Sequence, residues 1–82
     1  MSTMAATSVD QVLDTKGLSC PLPVLRTKKA IKALEPGKVL KVLATDPGAT
    51  NDFLAFCTAY GHQLLANTME GDVFVFVIKK AA

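Results

Sequence analysis

Hydrophobic and polar positions along this chain switch between two periods, and the switches mark its elements. Val9 to Asp14 reads as a short strand, with Thr15-Lys16-Gly17 as its exit. From Pro21 to Leu34 the spacing turns helical. At about 100° per residue, Val24, Thr27, Ala30, Ile31 and Leu34 gather on one arc of about 120°, a stripe facing the core. Pro36-Gly37 stops this helix. Val39 to Thr45 is a β-rich run that Asp46-Pro47-Gly48 breaks. Phe53, Phe56, Cys57 and Tyr60 then follow at helical spacing, which predicts a second amphipathic helix with these four on its buried arc and Gly61 as its stop. Leu64 to Met69 reads as a strand, Glu70-Gly71-Asp72 as a tight turn, and Val73 to Lys80 as the last strand.

The order β-α-β-α-β-β predicts an α+β fold: a two-layer βαβαββ sandwich, with two helices packed on one face of a mixed four-stranded sheet. Strand–helix–strand connections are expected to be right-handed. With the first two strands parallel, the loops leaving them open on one edge of the sheet, and those loops carry Cys20 and Asp46. Residues 1–8 are expected to form a flexible lead-in and residues 9–82 a single domain. The last strand is apolar on both sides, Val73, Val75 and Val77 against Phe74, Phe76 and Ile78. The face without helices is therefore either partly exposed in a monomer or covered in a weak homodimer.

Composition narrows the function. Eighty-two residues hold one compact domain and exclude a dinucleotide site or a second domain. Half the residues are hydrophobic and 20% are charged, the balance of a folded globule. Two cysteines, at 20 and 57, make a poor disulfide framework. The opening MSTMAATS has no basic and apolar leader pattern, and no apolar run approaches a membrane span of about 20 residues. A cytoplasmic protein with free thiols and no membrane partner is expected. Charge is uneven: Lys16, Arg26, Lys28, Lys29, Lys32, Lys38 and Lys41 face Glu35 alone, whereas Lys79 and Lys80 are outnumbered by six acids elsewhere. That asymmetry favours an anionic partner surface.

Candidate chemistry concentrates in Gly17-Leu18-Ser19-Cys20-Pro21-Leu22-Pro23. Pro21 suits the first helical position and Pro23 the third, which leaves Cys20 at or near the N-cap with the Leu22 and Val24 N–H groups free. A helix N-terminus favours the thiolate, the reactive form, and equally an anionic persulfide. The plain alternative is a small cap-like residue beside two turn prolines. No second cysteine stands at C-x-x-C spacing, so a thioredoxin-like motif is disfavoured. On the outer side of the first helix, Lys28, Lys29 and Lys32 surround Leu22 and Leu25, and Arg26 adds to the basic run. This suits a docking patch with an apolar centre and a basic rim, or else lysine stems covering surface leucines.

Cys57 is expected to pack as a small hydrophobe. His62, without a partner at metal-ligand spacing, is expected to be solvated or capping, and Asp14 to be a strand-end carboxylate. Asp46 or Thr50 could cap the second helix, and Asp46 could also serve the site by its nearness to Cys20. No metal or cofactor motif is present, and the basic run lacks interleaved aromatics, so direct nucleic-acid binding is not expected. A small basic nucleic-acid-binding or regulatory interaction module is the alternative function class.

Leu13-Asp14-x-x-Gly17-Leu18-x-Cys20-Pro21-x-Pro23, the helix ending in Pro36-Gly37, the Asp46-Pro47 loop and the final hairpin resemble the TusA/SirA-like sulfur carrier family over about residues 9–80. The resemblance implies the βαβαββ sandwich and a persulfide on Cys20, with Gly17, Pro21 and Pro23 as supporting motif residues. It implies a protein sulfur donor, a cysteine desulfurase or rhodanese, and an acceptor cysteine, as in DsrE-type partners. Its docking surface surrounds the cysteine, in agreement with Leu22, Leu25, Arg26, Lys28, Lys29, Lys32 and Asp46. Family members serve tRNA thiolation, sulfur oxidation, and molybdenum-cofactor or selenium pathways. Members acting in tRNA thiolation can carry an acidic residue where Leu22 stands here.

Overall fold

The structure, a computed structural model, describes residues 8–81. The predicted lead-in, Ser8 apart, lies outside them. Six elements follow in the expected order: β1 (Gln11–Thr15), α1 (Leu22–Lys32), β2 (Val39–Ala44), α2 (Ala49–Tyr60), β3 (Gln63–Glu70) and β4 (Val73–Lys79). β1 is shifted toward the Cys20 loop relative to Val9–Asp14, because Thr15 is still paired with Ala44 and its buried hydroxyl donates to the Leu43 carbonyl at 2.6 Å. α1 is shorter than Pro21–Leu34 at both ends. Pro21 stands outside as its cap, and at the other end Ala33 and Leu34 donate to Ala30 and Ile31, the tightening of a last turn.

The sheet order is β1-β2-β4-β3, with β1 parallel to β2 and both pairings of β4 antiparallel. The mixed sheet and its two packed helices are the predicted two-layer α+β sandwich. Central strands carry the core: Leu40, Val42 and Ala44 of β2 and Phe76 and Ile78 of β4 expose no surface. Alternate residues point to the helices, as strand periodicity requires. From α1 come Thr27 and Ile31, with Val24, Ala30 and Leu34 partly buried beside them; from α2 come Phe53, Phe56 and Cys57. Phe53 stacks on Phe76 with ring centroids 4.4 Å apart. Each such aromatic contributes about 1.5–3 kcal/mol by burial.

Tyr60 departs from expectation. It shares the spacing of Phe53, Phe56 and Cys57, yet it is 52% exposed. The reason is its place in the last turn of α2, just before Gly61 turns left-handed (φ 74°) and redirects the chain into β3. The face opposite the helices holds exposed Val12 and Leu65, but Val75 at its centre is buried among strand neighbours. Among the described residues, no helix is long and apolar enough to cross a membrane.

Candidate functional site

Parallel β1 and β2 end at the same edge of the sheet, and the loops that leave them are tied together there. The Gly17 N–H donates to Thr45 Oγ1 at 2.9 Å, and Gly17 itself has a left-handed φ of 84° that only glycine adopts readily. Leu18 N–H closes the turn on the Thr15 carbonyl. The chain then reaches Cys20 immediately before α1.

The start of α1 differs from the sequence reading by one position. Pro21 is the N-cap, Pro23 falls on the second helical residue, and Cys20 precedes the cap rather than forming it. The Leu22 N–H is not free, because it donates to the Ser19 carbonyl at 2.9 Å. Leu25 N–H donates to the Pro21 carbonyl at 3.1 Å, and Pro23 is buried. The two prolines thus build a fixed helix entry with the thiol standing in front of it.

Cys20 is a free, exposed thiol. It borders a recess of about 330 Å³ with Pro21, Val24, Asp52, Ala55, Phe56 and Tyr60. The surroundings act against the expected thiolate preference. Hydrogen bonding to the Asp52 carboxylate holds the Cys20 thiol above its ordinary value; loss of hydration and the charges of Asp52 and Asp46 push the same way. Both carboxylates thus oppose negative charge on the sulfur, against the pull of the positive end of α1.

Asp46 comes near Cys20 as the topology predicts, but neither it nor Thr50 caps α2. The N-cap is Gly48, without a side-chain cap. Asp46 instead closes the preceding turn: its Oδ2 accepts from the Gly48 N–H at 3.0 Å, and its carbonyl accepts from Ala49. A Cβ on Gly48 would lie 3.2 Å from Asp46 Oδ2 and 3.7 Å from Asp52 Oδ2. Glycine at 48 therefore leaves room for two carboxylates side by side.

The outer face of α1 is as the helical wheel predicts. Leu22 and Leu25 are 42% and 53% exposed, and Arg26, Lys28, Lys29 and Lys32 are exposed around them. Lys28 Nζ lies 5.2 Å from the centre of the Tyr60 ring, in cation–π range. Lys28 and Lys32 also line a second recess, of about 360 Å³, with Ile31, Phe56, Tyr60, His62 and Lys80. Phe56 and Tyr60 belong to both recesses, so the thiol recess continues into a cationic one. Lys29 lies outside both.

Asp52, Phe56, Tyr60 and Lys80 are the neighbours that the sequence reading missed. Asp52 had one usable signal: it is the acid in the first turn of α2, and both helices start from the same sheet edge. Lys80 had none, since its Nζ reaches the Leu34 carbonyl across the fold. His62 is half-buried, not simply solvated; its Nδ1 accepts from the Ala81 N–H at 3.0 Å, and burial followed by the Lys80 charge lowers its pKa. Asp14 accepts from the Lys16 N–H at 2.9 Å and pairs with Lys16 Nζ at 3.8 Å. Cys57 is 4% exposed among core side chains, and burial raises its thiol. Among the described residues, no three His, Cys, Asp or Glu side chains gather as a metal site.

Fold and site together define a small α+β domain that presents one thiol at a sheet edge. The sequence profile of the family described as Sulfurtransferase TusA matches residues 11–80. The sulfur carrier protein TusA of Allochromatium vinosum is 51% identical over 72 residues, covering 88% of this chain and 95% of that one. The "Putative sulfur carrier protein YrkI" of Bacillus subtilis is 55% identical over 71 residues, covering 87% of this chain and 95% of the relative. A crystal structure of a SirA-like protein from Desulfitobacterium hafniense superposes with a TM-score of 0.75 at 26% identity, over 88% of this chain and 99% of the other. The chain belongs to the TusA family of sulfur carriers, and a sulfur carrier works with protein partners in a relay.

Proposed function

We propose that this protein carries sulfur as a persulfide on Cys20, taken from a cysteine desulfurase or rhodanese-type donor in the cytoplasm and passed to an acceptor cysteine such as that of a DsrE-type protein. The observation that carries the reading is the exposed free thiol held in front of α1 by Pro21 and Pro23, while the other cysteine is buried. In loading, the Cys20 sulfur attacks the outer sulfur of a donor persulfide. A new S–S bond forms, the donor S–S bond breaks, and the donor sulfur leaves as a thiolate that takes up the Cys20 proton. Cys20–SH and R–S–SH become Cys20–S–SH and R–SH, with no net oxidation. Unloading is the same exchange in reverse, with the acceptor thiolate as nucleophile.

Such exchange needs two sulfurs to meet, so docking is the protein's main contribution. Leu22 and Leu25 supply an apolar centre, Arg26, Lys28, Lys29 and Lys32 a basic rim, and Asp46 an acidic point across the thiol. Gly17 and the two prolines fix the loop. Either tRNA thiolation or a sulfur-oxidation relay fits this chemistry as a destination.

Intact mass after incubation with a persulfide donor tests the reading. The wild type and Cys57→Ala gain one sulfur atom, and Cys20→Ser gains none. Equal loading of Cys20→Ser and the wild type would remove Cys20 from the mechanism.

A further inference from the structure

Beyond the choice of cysteine lies the control of its proton. Asp52 occupies the first turn of α2 and lines the same recess as Cys20, between the apolar surfaces of Val24, Ala55 and Phe56. Asp46, the other nearby acid, is committed to the Gly48 N–H. Asp52 has no such commitment: among the described residues its carboxylate accepts no backbone hydrogen bond, and the one ion pair is Lys16–Asp14. The charged and titratable groups facing the sulfur are thus Asp52 and Tyr60 from α2 and Asp46 from the loop after β2, with no cation lining the recess. Lys28, from α1, is turned over the Tyr60 ring.

We propose that Asp52 is a positioning residue for Cys20: its uncommitted carboxylate, in the same recess as the sulfur, slows the departure of that sulfur once it is loaded. The inference rests on the persulfide reading above. Its logic is that of a leaving group. Unloading converts Cys20–S–SH and R–SH into Cys20–SH and R–S–SH, and the Cys20 sulfur must leave carrying negative charge. A neighbouring carboxylate opposes that charge, and a more basic thiolate leaves more slowly. Asp52 thereby makes the carrier retain its sulfur against stray small thiols.

The test reads the sulfur directly. In a Cys57→Ala background, the rate of alkylation by iodoacetamide is followed against pH for wild type, Asp52→Asn and Asp52→Glu. Asp52→Asn is expected to titrate at lower pH. Where that raises the thiolate fraction at neutral pH about tenfold, the nucleophilicity of each thiolate falls about threefold, so alkylation speeds up about threefold. Loaded Asp52→Asn is also expected to lose its sulfur to dithiothreitol several-fold faster, and Asp52→Glu to restore both behaviours in part. An unchanged titration in Asp52→Asn, or equal changes in the Asn and Glu variants, would overturn the inference. Alkylation needs no sulfur donor, so a wild type that never loads Cys20 would defeat the persulfide reading and leave this titration with its own answer.

Discussion

The two cysteines of this chain share a protonation preference and little else. Both thiols are held above the ordinary value of 9.0, Cys20 by a carboxylate neighbour and Cys57 by burial. At Cys57 the protonated state accompanies inaccessibility: the thiol packs with Phe53, Phe56 and the sheet. At Cys20 it is imposed on an exposed atom. A raised pKa therefore does not identify a silent cysteine. Its cause does, because a partner can displace or neutralise a carboxylate but cannot easily enter a packed core.

The largest effect that would break this contrast is in labelling. Cys57 reacts only when the fold opens, so in native protein it should alkylate at least about a thousandfold more slowly than Cys20, as an opening free energy of ~4–5 kcal/mol requires. Peptide mass mapping after a timed pulse reads both sites, and comparable rates would show the core to be open. Stability gives the next test. Cys57→Ser places an unpaired hydroxyl in an apolar site and should cost about 1–3 kcal/mol in urea unfolding. Cys20→Ser should stay within about 0.5 kcal/mol of wild type. Equal losses would mean that Cys20 holds its loop together.

The smallest effect is alkaline. Each thiol with a raised folded pKa contributes stability that is fully present below its ordinary value of 9.0 and is lost as pH rises through the folded value. The Tm should therefore decline above about pH 9, and Cys57→Ala should flatten that decline. If Cys57→Ala leaves the curve unchanged, Cys57 is not the source of the decline.

Much of this was legible in the sequence because it depends on local periodicity. Alternation in β2 and β4 and the arc through Thr27 and Ile31 defined the layers, and parallel β1 and β2 brought the Cys20 and Asp46 loops to one edge. Boundaries were less legible: whether Pro21 is the cap or the first helical residue is settled by the Ser19 and Pro21 carbonyls, which bond to Leu22 and Leu25. Tyr60 misled because a helical wheel has no end, whereas α2 stops at Gly61. The preference of the Cys20 proton was legible only in part. The helix N-terminus is a one-dimensional signal, but Asp52 acts from another helix, and a sequence does not show which acid faces which sulfur.

The last residues of the sheet have a practical corollary. Lys80 N–H bonds to the Lys38 carbonyl, Gly37 N–H to the Lys80 carbonyl, and Lys79 pairs with Val39, while Cys20 follows the opposite end of β1, where Thr15 pairs with Ala44. Six residues of β2 separate these ends, about 20 Å of extended chain. A tether joined beyond Ala81 would leave from the far side of the domain. Anchored on a sensor surface or fused to another protein in that way, the domain would point the exposed Cys20 thiol outward, free to meet whatever approaches.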